Sequence, residues 1–204
     1  MSMNGTKQKI LDISLDLFSQ NGFSAVSIRD ICGRVGIRES SVYYHFKNKQ
    51  AILDELLQHF EATAAGFMLQ LEEALKTAPD TFEENFFGKT CDCFFEAYLM
   101  DEFCNKIMRL LSIERFCNDE IQKRYDHWMI DRPLAFQAKV FSVLVTAGIV
   151  KPAEIEYLAV KFYAPVFLLM QRFLLCGALT EECRQAFRER AYRHIQNFFM
   201  EMGE

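Results

Sequence analysis

Apolar residues recur every three or four positions along nearly the whole chain, which is the spacing that one face of an α-helix requires. No stretch alternates apolar and polar residues with the period of two that marks a half-buried strand. Helix breakers are sparse, since the 204 residues include four prolines and nine glycines. The pattern therefore predicts an all-α protein without internal repeats.

The first 76 residues predict three short helices and one long helix. Ser27, followed three residues later by Asp30, has the form of a capping box at the start of the second helix. The predicted helices cover about 6–20, the stretch between Ser27 and Gly36, 38–46, and the stretch from Asn48 to Lys76; later ones lie near 80–99, 102–116, 118–130, 132–147, 153–177 and 180–202. The buried face of the first helix is expected to contain Ile10, Ile13, Leu17 and Phe18.

The second and third helices are joined by a tight turn at Gly36, which is the sequence form of a helix-turn-helix. At 100° per residue, Val42 and Phe46 fall on one side of the third helix and are expected to face the core. Ser40, Ser41 and Tyr44 then point outward, with Tyr43 and His45 on the flanks. Small hydroxyls that can reach base edges, with rings beside them that can meet phosphates, suit a helix lying in a major groove.

Charge is distributed unevenly in a way that favours this interpretation. The net charge is −5, but residues 1–50 carry seven Lys and Arg against four Asp and Glu. Lys47 and Lys49 bracket the N-cap Asn48, where the helix dipole already attracts an anion. The start of the second helix, at Ser27, Ile28 and Arg29, offers a similar place for a phosphate. The first quarter is thus a basic module on an acidic body.

The segment "TKQKILDISLDLFSQNGFSAVSIRDICGRVGIRESSVYYHFKNKQAILDELL" resembles the N-terminal domain of the TetR family of bacterial transcriptional regulators. The family pattern reads "A..LF...G" and then "T...IA...GVS...LY.HF..K..L"; Cys32 replaces its usual alanine and Ser27 its usual threonine. The resemblance covers about a quarter of the chain. It implies DNA contacts by Ser27, Arg29, Tyr43, Tyr44 and Lys49. It also implies that the DNA sequence preference is set by Arg38, Glu39, Ser40, Ser41 and His45, although Glu39 is equally well explained as a solvated residue.

The resemblance also implies a division into a helix-turn-helix domain, residues 1–50, and a ligand-binding and dimerisation domain, residues 51–204. Of the last two predicted helices, the first is apolar around nearly its whole circumference and the second along one face, which favours a homodimer formed through them. The middle of the chain is rich in Phe, Met and Cys, which suits an adaptable cavity for an unknown small-molecule effector. The candidate ligand-binding residues are Tyr98, Arg109, Tyr125, His127, Trp128 and Tyr163.

Other functional classes find less support in the sequence. No apolar run reaches membrane-spanning length and no signal-peptide block is present, so we expect a cytoplasmic protein. Cys91 and Cys93 would lie about 200° apart on a helix and could not share a metal ion. No cofactor, metal or enzyme motif is expected.

We therefore predict a ligand-responsive transcriptional regulator, most simply a repressor that binds a palindromic DNA operator. Two alternatives stay open: an all-helical ligand-binding or interaction module that does not bind DNA, and, in third place, an enzyme.

Overall fold

A computed structural model describes residues 3–76, 86–151 and 153–203. Throughout these residues the secondary structure is helical, which confirms the predicted all-α class. The α-helices are α1 (Met3–Asn21), α2 (Ile28–Val35), α3 (Glu39–His45), α4 (Lys49–Lys76), α5 (Phe86–Phe94), α6 (Glu102–Glu114), α7 (Asp119–Asp126), α8 (Arg132–Thr146), α9 (Ile155–Leu169) and α10 (Glu181–Gly203). Three π-helical segments, Phe95–Leu99, His127–Asp131 and Met170–Leu174, directly follow α5, α7 and α9. The beginning of the helix predicted near residue 80 lies outside the described residues.

The chain forms two compact units. Unit 1 comprises Met1–Thr63 and Lys106–Tyr125, and unit 2 comprises Ala64–Asn105 and Asp126–Glu204. Unit 1 therefore contains the predicted head, residues 1–50, together with the first half of α4 and most of α6 and α7. The domain boundary at residue 50 stays a prediction.

The core of unit 1 is built where α1, α2 and α3 pack against one another. The buried face of α1 differs from the predicted one, because Ile13 and Leu17 are only half-buried. The buried positions are Ile10, Leu11, Ser14, Leu15, Phe18 and Ser19. Two serines therefore belong to the buried face of α1. A prediction from apolar residues alone places that face at a different angle around the helix axis. On α4, by contrast, the apolar residues that recur every three or four positions are all buried: Leu53, Leu56, Leu57, Phe60, Ala64, Phe67, Leu71 and Leu75.

The predicted break between the seventh and eighth helices is absent. The chain continues from α7 through the π-helical segment His127–Asp131 directly into α8. Pro133 has no N–H, so the carbonyl of Met129, four residues earlier, loses its α-helical donor. The hydroxyl of Tyr163 donates a hydrogen bond of 2.8 Å to that carbonyl. A side chain from α9 therefore satisfies the backbone group that the proline leaves open.

In unit 2, α8 and α10 both pack against α9. Asn105, which is almost completely buried, donates from its amide nitrogen to the carbonyl of Leu99 at 3.3 Å and to that of Leu174 at 3.1 Å. These two carbonyls end the first and third π-helical segments. One amide therefore caps two helix ends that lie far apart in sequence. None of the helices within the described ranges is long and apolar enough to cross a membrane.

Candidate nucleic-acid interface

The start of α2 carries the capping box that the sequence predicts. The Ser27 side chain accepts from the backbone N–H of Asp30 at 3.2 Å, while the Asp30 carboxylate accepts from the Ser27 N–H at 2.8 Å. Hydrogen bonds from the side chain and backbone of Ser27 hold the pKa of Asp30 below its usual value. A phosphate bound at this turn would lie beside the carboxylate of Asp30, which carries the same sign of charge. The predicted phosphate site at this helix start stays a prediction.

The turn between α2 and α3 is fixed at Gly36, which adopts the left-handed conformation with φ 81° and donates its N–H to the carbonyl of Cys32 at 2.9 Å. Residues other than glycine rarely adopt this conformation. Lys9 on α1 donates to the carbonyl of Val35 at 3.0 Å, at the end of α2. The turn is therefore held by its own geometry and by a lysine from the neighbouring helix.

The short helix α3 presents the face that its periodicity predicts. Val42 and Phe46 are buried in the core of unit 1. Tyr44 is 70% exposed and Tyr43 51% exposed, and Ser40 is also exposed. Ser41 and His45 are half-buried, and the His45 ring lies edge-on to Tyr44 with 5.1 Å between centroids. The inward positions and the outward positions of Ser40 and Tyr44 are confirmed, Ser41 is less exposed than predicted, and the DNA contacts assigned to this face stay predictions.

Two of the candidate DNA contacts, Arg29 and Glu39, bind each other. Nε of Arg29 lies 3.1 Å from Oε1 of Glu39, which ties the exposed side of α2 to the first residue of α3. Both side chains are solvent-exposed, so the pair contributes little to stability. Either residue must leave this pair before it contacts a base or a phosphate.

Lys49, predicted to bind a phosphate, is used largely inside unit 1. Its ammonium donates to the carbonyls of Phe23 at 2.7 Å and Val26 at 2.6 Å and lies 4.2 Å from the centroid of the Phe23 ring. Burial lowers its pKa. An ammonium has three N–H donors, so one is left for a phosphate. The loop before α2 is thus pinned to the start of α4.

Three other cations of the head are better placed for a phosphate backbone. Arg34, Arg38 and Lys47 are all exposed. Lys47 precedes the N-cap Asn48, whose side chain accepts from the N–H of Ala51 at 2.9 Å. The predicted N-cap is therefore confirmed, and Lys47 stands beside the positive end of the 28-residue helix α4.

Sequence reasoning missed Glu114, at the end of α6 in unit 1. Its carboxylate accepts from the N–H of Ser24 at 3.0 Å and from the Ser24 hydroxyl at 2.9 Å, although the two residues lie 90 positions apart. Gly22 has φ 83°, and a Cβ there would lie 2.5 Å from Oε1 of Glu114. The loop that leads into the helix-turn-helix is therefore held from one side by Glu114 and from the other by Lys49.

The six candidate ligand-binding residues are dispersed. Arg109 and Tyr125 belong to unit 1, where the Arg115 guanidinium lies 4.2 Å from the Tyr125 ring centroid. In unit 2, Tyr98 is buried and stacks on Phe67 with 5.4 Å between centroids. His127 is exposed, whereas Trp128 and Tyr163 are buried. Their ligand-binding roles stay predictions, and of the six, Tyr163 lines a cavity in unit 2.

That cavity also contains a polar residue that sequence reasoning missed. Gln137 on α8 lines it and is only 8% exposed, and its Oε1 accepts no hydrogen bond within the described residues. A glutamine in a helix gives no sign in the sequence that it will be buried without a partner. Cys91 also lines the cavity, while Cys93 is exposed, so the predicted opposite orientation of these two cysteines is confirmed.

A compact three-helix head with an exposed third helix defines a protein of the helix-turn-helix class. A sequence model of the family described as "Bacterial regulatory proteins, tetR family" matches residues 10–56. The match covers the helix-turn-helix and the residues beside it, so the resemblance of the N-terminal segment to this family is confirmed.

Known transcriptional regulators are similar to the head and to the residues that follow it. The transcriptional repressor KstR2 of Rhodococcus jostii is 39% identical over 57 residues, which make up 28% of this chain and 28% of that protein. The transcriptional regulator AcrR of Shigella flexneri is 34% identical over 67 residues, 33% of this chain and 31% of that protein. The chain thus spans about three tenths of the length of these relatives.

Solved structures are similar over nearly the whole chain. A TetR-family regulator from Agrobacterium tumefaciens matches with a TM-score of 0.66 and 17% identity, covering 96% of this chain and 98% of that one. SmeT, a repressor from Stenotrophomonas maltophilia, matches in a complex with triclosan with a TM-score of 0.66 and 18% identity, covering 95% and 91%. At these identities the likeness shows the fold, which is that of TetR-family regulators.

Proposed function

We propose that the chain is a ligand-responsive repressor of transcription that binds a palindromic DNA operator as a homodimer. The observation that carries this proposal is the outward face of α3, where Ser40, Tyr43 and Tyr44 are exposed on a helix whose other side is anchored by Val42 and Phe46. Solvent-exposed tyrosines gain from being covered by a partner, and a duplex offers both phosphates and base edges to them. The family of the head makes DNA that partner.

An exposed apolar stripe on α9, with one exposed apolar residue on α10, supports the homodimer. On α9, Tyr157, Val160 and Leu168 are exposed at positions that follow one side of the helix, and Leu168 is 67% exposed. Met200 on α10 is 70% exposed. Isologous contact between two copies of such a face would cover all of these side chains at once. Two copies would then present two recognition helices to a palindrome.

Release of the operator by an effector is the second part of the proposal. An effector that binds one state of the body better shifts the dimer toward that state. In the state that releases the operator, the spacing of the two recognition helices no longer matches successive major grooves. The structural neighbour SmeT is a repressor whose complex with triclosan has been solved, which supports a small-molecule effector of modest polarity here as well.

The test is duplex binding by fluorescence anisotropy, first with random DNA over a range of salt concentrations and then with a selected operator. Tyr44→Ala should weaken operator binding at least tenfold, because it removes most of the exposed ring surface of α3. Phe116→Ala is the matched control, since Phe116 is an exposed aromatic residue of unit 1 outside the helix-turn-helix. Absence of salt-dependent duplex binding would refute the proposal in favour of a binding module that does not recognise DNA.

A further inference from the structure

Unit 2 contains a narrow cavity of about 20 Å³ lined by residues of α5, the π-helical segment after it, α8 and α9. Its walls are mostly aromatic, with rings from Phe94, Phe95, Phe136 and Phe162. Val140 and Val166 add aliphatic surface. Aromatic rings prefer to pack against other rings edge-on or offset, so these walls favour a ligand that is itself a flat ring.

One polar side chain of the cavity, Gln137, carries an acceptor that is open within the described residues. Oε1 of Gln137 is buried and, within the described part of the chain, receives no hydrogen bond. The hydroxyl of Tyr163 is already donated to the carbonyl of Met129. Buried polar atoms nearly always have a partner, and one that lacks it in the unliganded protein marks the place where a ligand can donate.

The cavity has no charged lining residue among those that the structure describes. Burial raises the pKa of the Cys91 thiol, which therefore stays neutral. Moving an ion into such surroundings carries a large desolvation cost with no opposite charge to offset it. The cavity consequently selects against carboxylates, phosphates and ammonium groups.

The size of the cavity shows that a ligand must change the structure around it. A space of about 20 Å³ is enough for one water molecule. A dry cavity that binds benzene measures roughly 150 Å³. The wall contains Phe95, the first residue of the π-helical segment Phe95–Leu99, and π-helical turns are frequent where function requires adjustable backbone. A ring can enter only if the walls move apart, so it binds an expanded state better than the resting one.

We infer that this cavity is the effector site and that it takes a small, uncharged aromatic molecule whose hydroxyl or N–H donates a hydrogen bond to Oε1 of Gln137. The assignment as an effector site rests on the proposed function, whereas the binding itself does not. It names the chemistry of the ligand and the residue that selects it.

The experiment measures binding of three probes to the full chain by isothermal titration calorimetry. p-Cresol carries the ring and the donor, toluene lacks the donor, and 4-methylcyclohexanol lacks the aromatic ring. We expect p-cresol to bind about tenfold more tightly than toluene, since one neutral hydrogen bond is worth up to roughly that ratio. It should also bind more tightly than 4-methylcyclohexanol, because a flat ring packs better against the aromatic walls. Gln137→Leu, which removes the acceptor at similar length, should abolish the preference for p-cresol over toluene.

Two further variants make the result decisive. Val140→Phe should fill the space and remove binding of all three probes. Gln58→Leu, at an exposed position of α4, should leave every affinity unchanged. Equal binding of p-cresol and toluene to the wild type, or a preference that survives Gln137→Leu, would overturn the inference.

The same preparations, titrated with operator DNA, separate the two proposals. Operator binding without any Gln137-dependent ring binding refutes the cavity assignment alone. Ring binding with the expected preference, in a chain that binds no duplex, supports the ligand site and refutes the regulator.

Discussion

The loop that leads into the helix-turn-helix offers a sharp test of the packing at Gly22 and Glu114. Gly22→Ala places a side chain on a residue with φ 83°, which costs about 1 kcal/mol. The new Cβ would lie 2.5 Å from Oε1 of Glu114 and must push the carboxylate away from Ser24. Losing the two hydrogen bonds of that carboxylate costs about 2 kcal/mol more, because bonds to a charged group are among the stronger ones.

The double substitution distinguishes this mechanism from two independent defects. Glu114→Ala alone loses the same two hydrogen bonds and should cost about 2 kcal/mol. If both single changes act through these bonds, the double variant loses them once, and its cost should be about 3 kcal/mol instead of the additive value of about 5 kcal/mol. Such a coupling of about 2 kcal/mol is far above the usual deviation between independent sites.

Urea unfolding followed by far-UV circular dichroism measures the free energies of the wild type, the two single variants and the double variant. Gly33→Ala is the matched control, since Gly33 lies in α2 with open space around its Cα, and this change should be neutral or slightly stabilising. Additivity within about 0.5 kcal/mol would show that Gly22 and Glu114 do not act together, and the explanation of the loop would fail.

Three further predictions concern the head and unit 2. Lys47→Ala should lower the salt slope of duplex binding by about 0.9 and leave the free energy of unfolding unchanged, whereas Lys49→Met should lower the free energy of unfolding by about 2 kcal/mol. Anisotropy titrations measure the slope and urea unfolding the stability; a larger loss of slope in Lys49→Met than in Lys47→Ala would show that Lys49 is the main phosphate contact. Because Ser27 lowers the pKa of Asp30, the stability that Asp30 contributes is present at neutral pH and is lost as the pH falls through that lowered pKa. The stability difference between wild type and Asp30→Asn should therefore shrink on acidification below about pH 3.9, and a difference independent of pH would contradict the capping box. Asn105→Leu leaves two buried carbonyls without a donor and should cost about 2 kcal/mol, which a thermal melt would register as a drop of roughly 4–8 °C; an unchanged melting temperature would refute the capping role of Asn105.

Features that depend on neighbouring residues could be predicted from the sequence. The capping box at Ser27, the stop at Gly36 and the inward side of α3 all follow from spacing over a few positions, and the structure has each of them. The helix boundaries followed for the same reason, except at Pro133. There a proline predicts a break, but a hydroxyl from another helix satisfies the freed carbonyl and the helix continues.

Features that depend on distant residues could not be predicted. Glu114 and Ser24 are 90 residues apart, and neither carries a local signal of the other. The sequence predicts that Lys49 binds DNA, because it does not show that the carbonyls of Phe23 and Val26 lie within reach of the ammonium. Gln137 was missed because whether an amide finds a partner depends on what the other helices bring to it. The exposed face of α3 could thus be predicted from the sequence, whereas the contacts that support it and the lining of the cavity depend on residues far apart along the chain.

Asn105 should couple the local unfolding of two helix ends in unit 2. Its amide joins the end of the stretch 95–99 to the end of the stretch 170–174, and Leu174 lies 69 residues from Asn105 along the chain. Neither stretch can fray without losing its bond to the amide group that also holds the other. The two should therefore exchange their amide hydrogens with solvent in a single cooperative event, although each alone would be a weak spot in a long helix.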